Sequence, residues 1–163
     1  MVEAVTILMF EVPTWLGTMI LSAFPIGELR FSIPVAVHAW GVDPAVAFIT
    51  AVAGNFIPMI PLYFGLEKLR DITARHVPWF SKKVDYHIER GRKKLEKKYS
   101  QYGALALFLF TGLPLPLTGL WSATAAAVAL KVPFKYALLG ISGGLIVSGI
   151  LVTMITIGAG VIF

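Results

Sequence analysis

The sequence predicts an all-α integral membrane protein. Its architecture is read as an inverted repeat of a re-entrant helical hairpin plus a transmembrane helix, the copies joined by a basic cytoplasmic amphipathic helix. Three observations lead there. The hydrophobic fraction is 57% and the charged fraction 14%, with a mean hydropathy of +0.79, whereas soluble domains average about 45–50% apolar and about 25% charged residues. Eleven of the fourteen Lys and Arg lie in residues 67–102. Helix breakers recur in register across two apolar zones, 1–66 and 103–163.

The 163 residues read as a single membrane domain. Repeat 1 covers 12–66, with a hairpin over 12–41 and a span over 45–66. The linker covers 67–102. Repeat 2 covers 103–157, with a hairpin over 103–130 and a span over 134–157.

The first zone opens with Val12–Phe24, which meets Pro25-Ile-Gly-Glu-Leu-Arg30, then a short piece, Phe31–Gly41. Asp43-Pro44 opens the long run Ala45–Leu66. In the second zone Ala104–Leu113 meets Pro114-Leu-Pro116-Leu-Thr-Gly119, then Leu120–Leu130, Lys131-Val-Pro133 and the long run Phe134–Ile157. A constant shift of 89 puts Pro25 on Pro114, Ala36 on Ala125, Pro44 on Pro133, Gly54 on Gly143 and Leu62 on Leu151. Proline suits a helix start because its missing N–H is unneeded there. The registered breaks at Pro25 and Gly27, and at Pro114 and Pro116, mark the repeat.

Length decides how each piece sits. At 1.5 Å per residue the long runs extend about 33 and 36 Å, enough to cross a bilayer with some tilt. Each short piece extends about 16 Å, half the hydrocarbon thickness. These read as half-helices, each returning from a turn near the midplane. The alternative is four ordinary spans, one pair of them kinked at proline. Charge favours the hairpins: with loop 67–102 cytoplasmic, a full crossing by Ala104–Leu130 would put Lys131 and Lys135 outside, against the positive-inside rule. The matching corner carries Asp43 and no lysine, as an outer face would.

The linker repeats Val84, Ile88, Leu95, Tyr99 and Tyr102 at helical spacing, with cations on the other flank. That pattern fits a helix lying on an anionic leaflet, entered through Trp79-Phe80, or else a solvated charged arm. The positive-inside rule accounts for the basic balance, so nucleic acid is not an expected partner; membrane lipids are. No cleaved secretory signal is expected, because Glu3 and no cation precede the first apolar run. With no cysteine, there are no disulfides or thiolate sites.

Gly27-Glu28-Leu29-Arg30 is the sharpest feature. Ionisable residues in the bilayer cost at least about 2.5 kcal/mol each and usually face a bundle interior or a watery cavity. Glu28 and Arg30 therefore read as a proton or anion site, or as an ion pair that locks the hairpin. Half-helices starting near Arg30 and Thr118 would aim their N-termini at the membrane centre, where their dipoles attract anions. Thr118, beside Gly119, could cap the second half-helix. Trp121 could stack on or gate the site, or simply pack. Asn55, after Gly54, is expected to bond a freed backbone carbonyl or to touch substrate. Gly140, Gly144 and Ser148 form a small-residue stripe for close packing or dimerisation.

Gly140-Ile-Ser142-Gly-Gly144 matches G-x-S-x-G, but the elbow needs a strand-to-helix turn and this segment reads as one apolar helix. His38 lies near the outer edge, His76 and His87 in the basic loop, and none has metal-ligand spacing. Neither an enzyme, a metal nor a cofactor is expected.

Gly27-Glu-Leu-Arg-Phe-Ser-Ile-Pro34, Gly54-Asn55 and Leu113-Pro-Leu-Pro-Leu-Thr-Gly-Leu-Trp-Ser122 resemble the small multidrug export protein family, itself distantly similar to the DedA (VTT-domain) superfamily. The resemblance covers most of residues 25–158. It implies paired re-entrant hairpins in a multi-pass protein of a prokaryotic plasma membrane. Members of the wider superfamily act as lipid scramblases or translocate isoprenoid phosphate carriers, some with proton coupling. Leu117 stands where the tip commonly has glycine, which makes the second hairpin less able to bring its backbone against a ligand. Residues and resemblance together lead to a transporter, flippase or scramblase for an amphipathic anionic substrate. Glu28 would carry a proton, Arg30 the anion, and the chain would act as a homodimer. A small-molecule exporter and a non-transporting scaffold are the alternatives.

Overall fold

The structure is a computed structural model and describes residues 12–76, 98–115 and 118–162. Among the described residues it is all-helical, with six helices: α1 Thr14–Ala23, α2 Glu28–His38, α3 Pro44–His76, α4 Tyr99–Gly112, α5 Leu120–Ala129 and α6 Phe134–Ile162. Two of them are long and apolar enough to cross a membrane, over Pro44–Ile72 and Phe134–Ala159. The amphipathic pattern read over residues 84–95 and the break at Pro116 lie outside the described residues.

The long helices run past their apolar stretches. The first apolar run stops at Leu66, but α3 continues through Glu67, Lys68 and Arg70 to His76. Glu, Lys, Leu and Arg are all good helix formers, and the next proline is Pro78. The charge ends the lipid-soluble part of the helix without ending the helix.

The chain divides into two compact units, Met1–Pro58 with Leu145–Phe163, and Met59–Gly144. In the first, α1 packs along α2, and a Cβ on Gly17 would meet the Trp40 ring at 3.3 Å. The early part of α1 thus lies beside the segment that follows α2. A small core of Ala36, Val42 and Ala47, flanked by Val37 and Trp40, closes that end. His38 Nε2 lies 3.2 Å from the Thr156 carbonyl of α6. In the second unit the Tyr99 hydroxyl, in the first turn of α4, donates to the carbonyl of Leu130, just past α5, at 2.7 Å. Here too the second short helix returns to where the first began.

The same crossing is built twice. Gly54 of α3 lies so close to α1 that a Cβ would collide with the Met19 carbonyl, and Ser22 Oγ donates to the Ala51 carbonyl at 2.6 Å. In the other unit a Cβ on Gly144 of α6 would collide with Thr111 Oγ1 and approach the Phe108 carbonyl at 2.6 Å. Thr111 Oγ1 also reaches the Ile141 carbonyl at 3.5 Å. Met19 and Phe108 are 89 positions apart, as are Ser22 and Thr111, whereas Gly54 pairs with Gly144 and Ala51 with Ile141 at 90. The two crossings thus correspond at a shift one residue longer than that of the breaks.

Large apolar side chains on the long helices face outward. Ile49, Ile57, Ile60 and Phe64 of α3, and Ile146, Ile150, Met154 and Ile155 of α6, are exposed, while small residues such as Ala47, Ala51 and Ala137 are buried. A water-soluble fold would reverse this arrangement; a lipid-solvated one favours it.

Candidate functional site

The break before α2 is made by three residues. Phe24 takes an extended conformation (φ −81°, ψ 147°) after α1, as suits a residue before Pro25. Gly27 packs its Cα against the Leu21 carbonyl, where any Cβ would collide. Glu28 then adopts φ 40° as its N–H reaches the Phe24 carbonyl at 3.0 Å. Left-handed backbone costs an L-residue of this kind about 1–2 kcal/mol, so the fold holds Glu28 against its own preference.

That backbone twist explains a pairing that an ordinary helix forbids. Side chains two positions apart normally diverge, yet Arg30 Nη1 lies 3.1 Å from Glu28 Oε2. Both side chains are largely buried, 11% exposed for Glu28 and 16% for Arg30. Glu28 also stands in the first turn of α2, where the helix dipole favours a carboxylate.

Asn55 supports this break from α3 and is fully buried. Its amide orientation is set by the hydrogen-bond network. With the oxygen turned to face donors, Oδ1 accepts from the Leu29 N–H at 3.0 Å and lies 2.8 Å from the Ser22 hydroxyl, while Nδ2 donates to the Ser22 carbonyl at 3.3 Å. The expectation that Asn55 bonds a freed carbonyl is therefore modified. Its oxygen takes a first-turn N–H of α2, which the helix itself cannot satisfy.

The second break is built without ionisable groups. Leu113 is extended after α4 (φ −76°, ψ 124°), and Pro114 follows. Thr118 does not cap α5: the N-cap position is Gly119, and no side chain caps the helix. The Thr118 hydroxyl turns back to the carbonyls of Leu113 at 2.9 Å and Leu115 at 2.8 Å, tying the loop to the end of α4. Gly119 is buried and Trp121 half-buried. The structure thus joins Glu28, Arg30 and Asn55 through Leu29 and Ser22, and gathers Thr118, Gly119 and Trp121 along one loop and helix start.

Sequence reasoning passed over Ser22 and Thr111. The 89-residue shift superposes the two hydroxyls three positions before each proline, a signal that could have found them. It also passed over Tyr63 and Arg70, whose partners lie far along the chain: Tyr63 donates to the Val132 carbonyl at 2.7 Å and Arg70 Nη1 to the Val128 carbonyl at 3.0 Å. No group of His, Cys, Asp and Glu able to hold a metal ion occurs among the described residues.

Two long apolar helices and a buried ion pair at a helix break describe an all-helical membrane protein with a polar site inside an apolar body. A sequence family described as "Putative small multi-drug export protein" matches residues 28–151, and the chain belongs to that family. The family points to membrane transport rather than enzymatic catalysis. Nothing among the curated proteins or the solved structures matches the chain.

Proposed function

We propose that the chain carries an amphipathic, anionic substrate of the lipid-phosphate kind across a prokaryotic plasma membrane, as a flippase or scramblase coupled to protons through Glu28. The observation that carries this reading is the buried Glu28–Arg30 pair, 3.1 Å apart at a break between two apolar helices. A carboxylate in such a place can exchange a proton, and its guanidinium partner can exchange the carboxylate for a phosphate oxygen. Asn55 holds the break in shape. Thr118, Gly119 and Trp121 offer further substrate contacts at the second break.

In this reading both breaks are tips of re-entrant hairpins, and the twice-built crossing supports two copies of one unit. The cations of loop 67–102, with Lys131 and Lys135, support a cytoplasmic placement of that loop and an inverted second copy. Two spans per chain enclose little by themselves, so the working form is a homodimer. Lipid phosphate suits a small bundle with a lateral groove, in keeping with the likeness to DedA proteins. The family description favours a second reading, export of a small drug-like molecule.

Reconstitution in liposomes tests both. One arm follows labelled phospholipid or polyprenyl phosphate, the other a fluorescent cationic drug. Lipid movement abolished by Glu28→Gln and by Arg30→Ala, in protein that still elutes as folded, supports the proposal. Drug movement with static lipid selects the second reading. Lipid movement unchanged in both variants removes the pair from the mechanism, and no movement of either substrate leaves a scaffold.

A further inference from the structure

The unit containing α1 and α2 holds two hydroxyls that the chain itself does not satisfy. Ser32 of α2 and Ser148 of α6 are fully buried, and neither Oγ has a hydrogen-bond partner among the described residues. The other buried hydroxyls of this fold are bonded. Thr18, Thr111, Thr124 and Thr156 each donate to the carbonyl four residues back, at 2.7–2.8 Å, and Ser22 donates across to α3. A back-bond of that kind is open to a serine within a helix. Ser32 and Ser148 are therefore turned away from a partner that their own helices offer. A hydroxyl buried without a partner is costly, and ordered water is what satisfies such groups in protein interiors.

Both serines belong to the surroundings of the charged break. Ser32 follows Glu28 by four residues, one turn further along α2. A Cβ on Gly149, next to Ser148, would meet the Val52 side chain of α3 at 3.5 Å. One turn on along α3, Asn55 Oδ1 accepts from the Leu29 N–H at 3.0 Å. The Ser148 region of α6 and the first turn of α2 therefore flank the same two turns of α3. At its far end α2 meets α6 directly, where His38 Nε2 lies 3.2 Å from the Thr156 carbonyl. Ser148, Val152 and Thr156 recur every four residues as the buried face of α6. His38, Ala39, Gly41 and Asp43 are exposed at that end. We propose that Ser32 and Ser148 line a narrow water-filled path between α2 and α6, joining the Glu28 carboxyl to the membrane face at His38. A hydroxyl suits such a path because it both donates and accepts a hydrogen bond, as handing a proton along a chain of waters requires. The path supplies the proton exchange assigned to Glu28 and in that respect rests on the transport reading; its hydration does not.

The chain has no cysteine, so Ser32→Cys and Ser148→Cys each introduce a single thiol of nearly the same shape. A thiol attacks a methanethiosulfonate as its thiolate, which forms in water and is suppressed in apolar surroundings. The full chain in liposomes is treated with 2-aminoethyl methanethiosulfonate, and the adduct is followed by intact mass. Both variants are expected to react at least about tenfold faster than Ala47→Cys, a fully buried position of the same unit. Rates equal to that control overturn the proposal. Thermal unfolding in detergent gives a second readout, which needs no reagent to enter and decides where a cysteine variant does not fold. In a dry core, Ser32→Ala and Ser148→Ala each remove an unmet hydroxyl and raise Tm. Beside water they remove one of its partners, and Tm is expected to stay level or fall. A raised Tm in both variants overturns the proposal. Fast labelling without a raised Tm supports the path even where lipid movement is unchanged by Glu28→Gln, an outcome that sinks the proton coupling at Glu28 instead.

Discussion

In the unit containing α1 and α2, charge is gathered at the helix break, while the corner at the other end is built from Gly41 and Asp43 as local rules prefer. In the unit containing α4 and α5 the arrangement is reversed. Its break, from Leu113 to Leu120, has no ionisable side chain, and its corner carries Lys131 and Lys135. Both units nevertheless share a glycine crossing and a hydroxyl that bonds across it. One scaffold thus tolerates charge at either end, and what differs is which end carries it.

The largest effect expected from breaking this contrast is at Arg30. Arg30→Ala removes the guanidinium from beside the buried Glu28 carboxylate, and losing one member of a buried pair costs about 3–5 kcal/mol. Thermal unfolding in detergent should show a large fall in Tm. Combining Arg30→Met with Glu28→Gln should recover most of it, because an apolar and a neutral side chain need no charge compensation. A single variant as stable as the parent would mean the pair is solvated. No change of comparable size is expected from Leu115→Ala at the neutral break, where the side chain is 53% exposed.

Next in size are the crossings. Gly54→Ala drives a methyl group into the Met19 carbonyl, and Gly144→Ala drives one against Thr111 and Phe108. Backbone cannot yield as a side-chain tip can, so each should cost about 2–3 kcal/mol, at the upper end of overpacking effects. Gly65→Ala meets nothing within 4 Å and should stabilise its helix by up to about 1 kcal/mol. Similar losses at Gly54 and Gly144 would support one crossing built twice. A loss at only one of them would separate the units.

Much of this was legible in sequence because it depends on runs and breakers. Apolar length marked α3 and α6, and Pro25, Gly27 and Pro114 marked where short helices stop. The 89-residue shift put both long helices in correspondence to within one residue. What escaped depends on distance along the chain. The Tyr63 and Arg70 bonds join residues 69 and 58 positions apart, and no local pattern announces them. Thr118 was misjudged for a related reason. Threonine before a helix resembles a cap, but the carbonyls of Leu113 and Leu115, just past α4, take the same hydroxyl. The helical continuation of α3 beyond Leu66 was not legible because charge ends an apolar run without ending a helix.

The smallest contrast is between the hydroxyls that serve the two breaks. Ser22 is fully buried, donates to the Ala51 carbonyl at 2.6 Å and lies 2.8 Å from the Asn55 amide. Ser22→Ala removes a partner from two buried groups at once and should cost about 2 kcal/mol. Its effect should be non-additive with Asn55→Ala, since the two side chains touch and each substitution removes the same contact. Thr118 is half-buried and has one proton to share between two carbonyls. Thr118→Val should therefore cost under about 1 kcal/mol. A Thr118 effect equal to that of Ser22 would mean that the second break is as tightly held as the first, so that tightness would not separate the charged break from the neutral one.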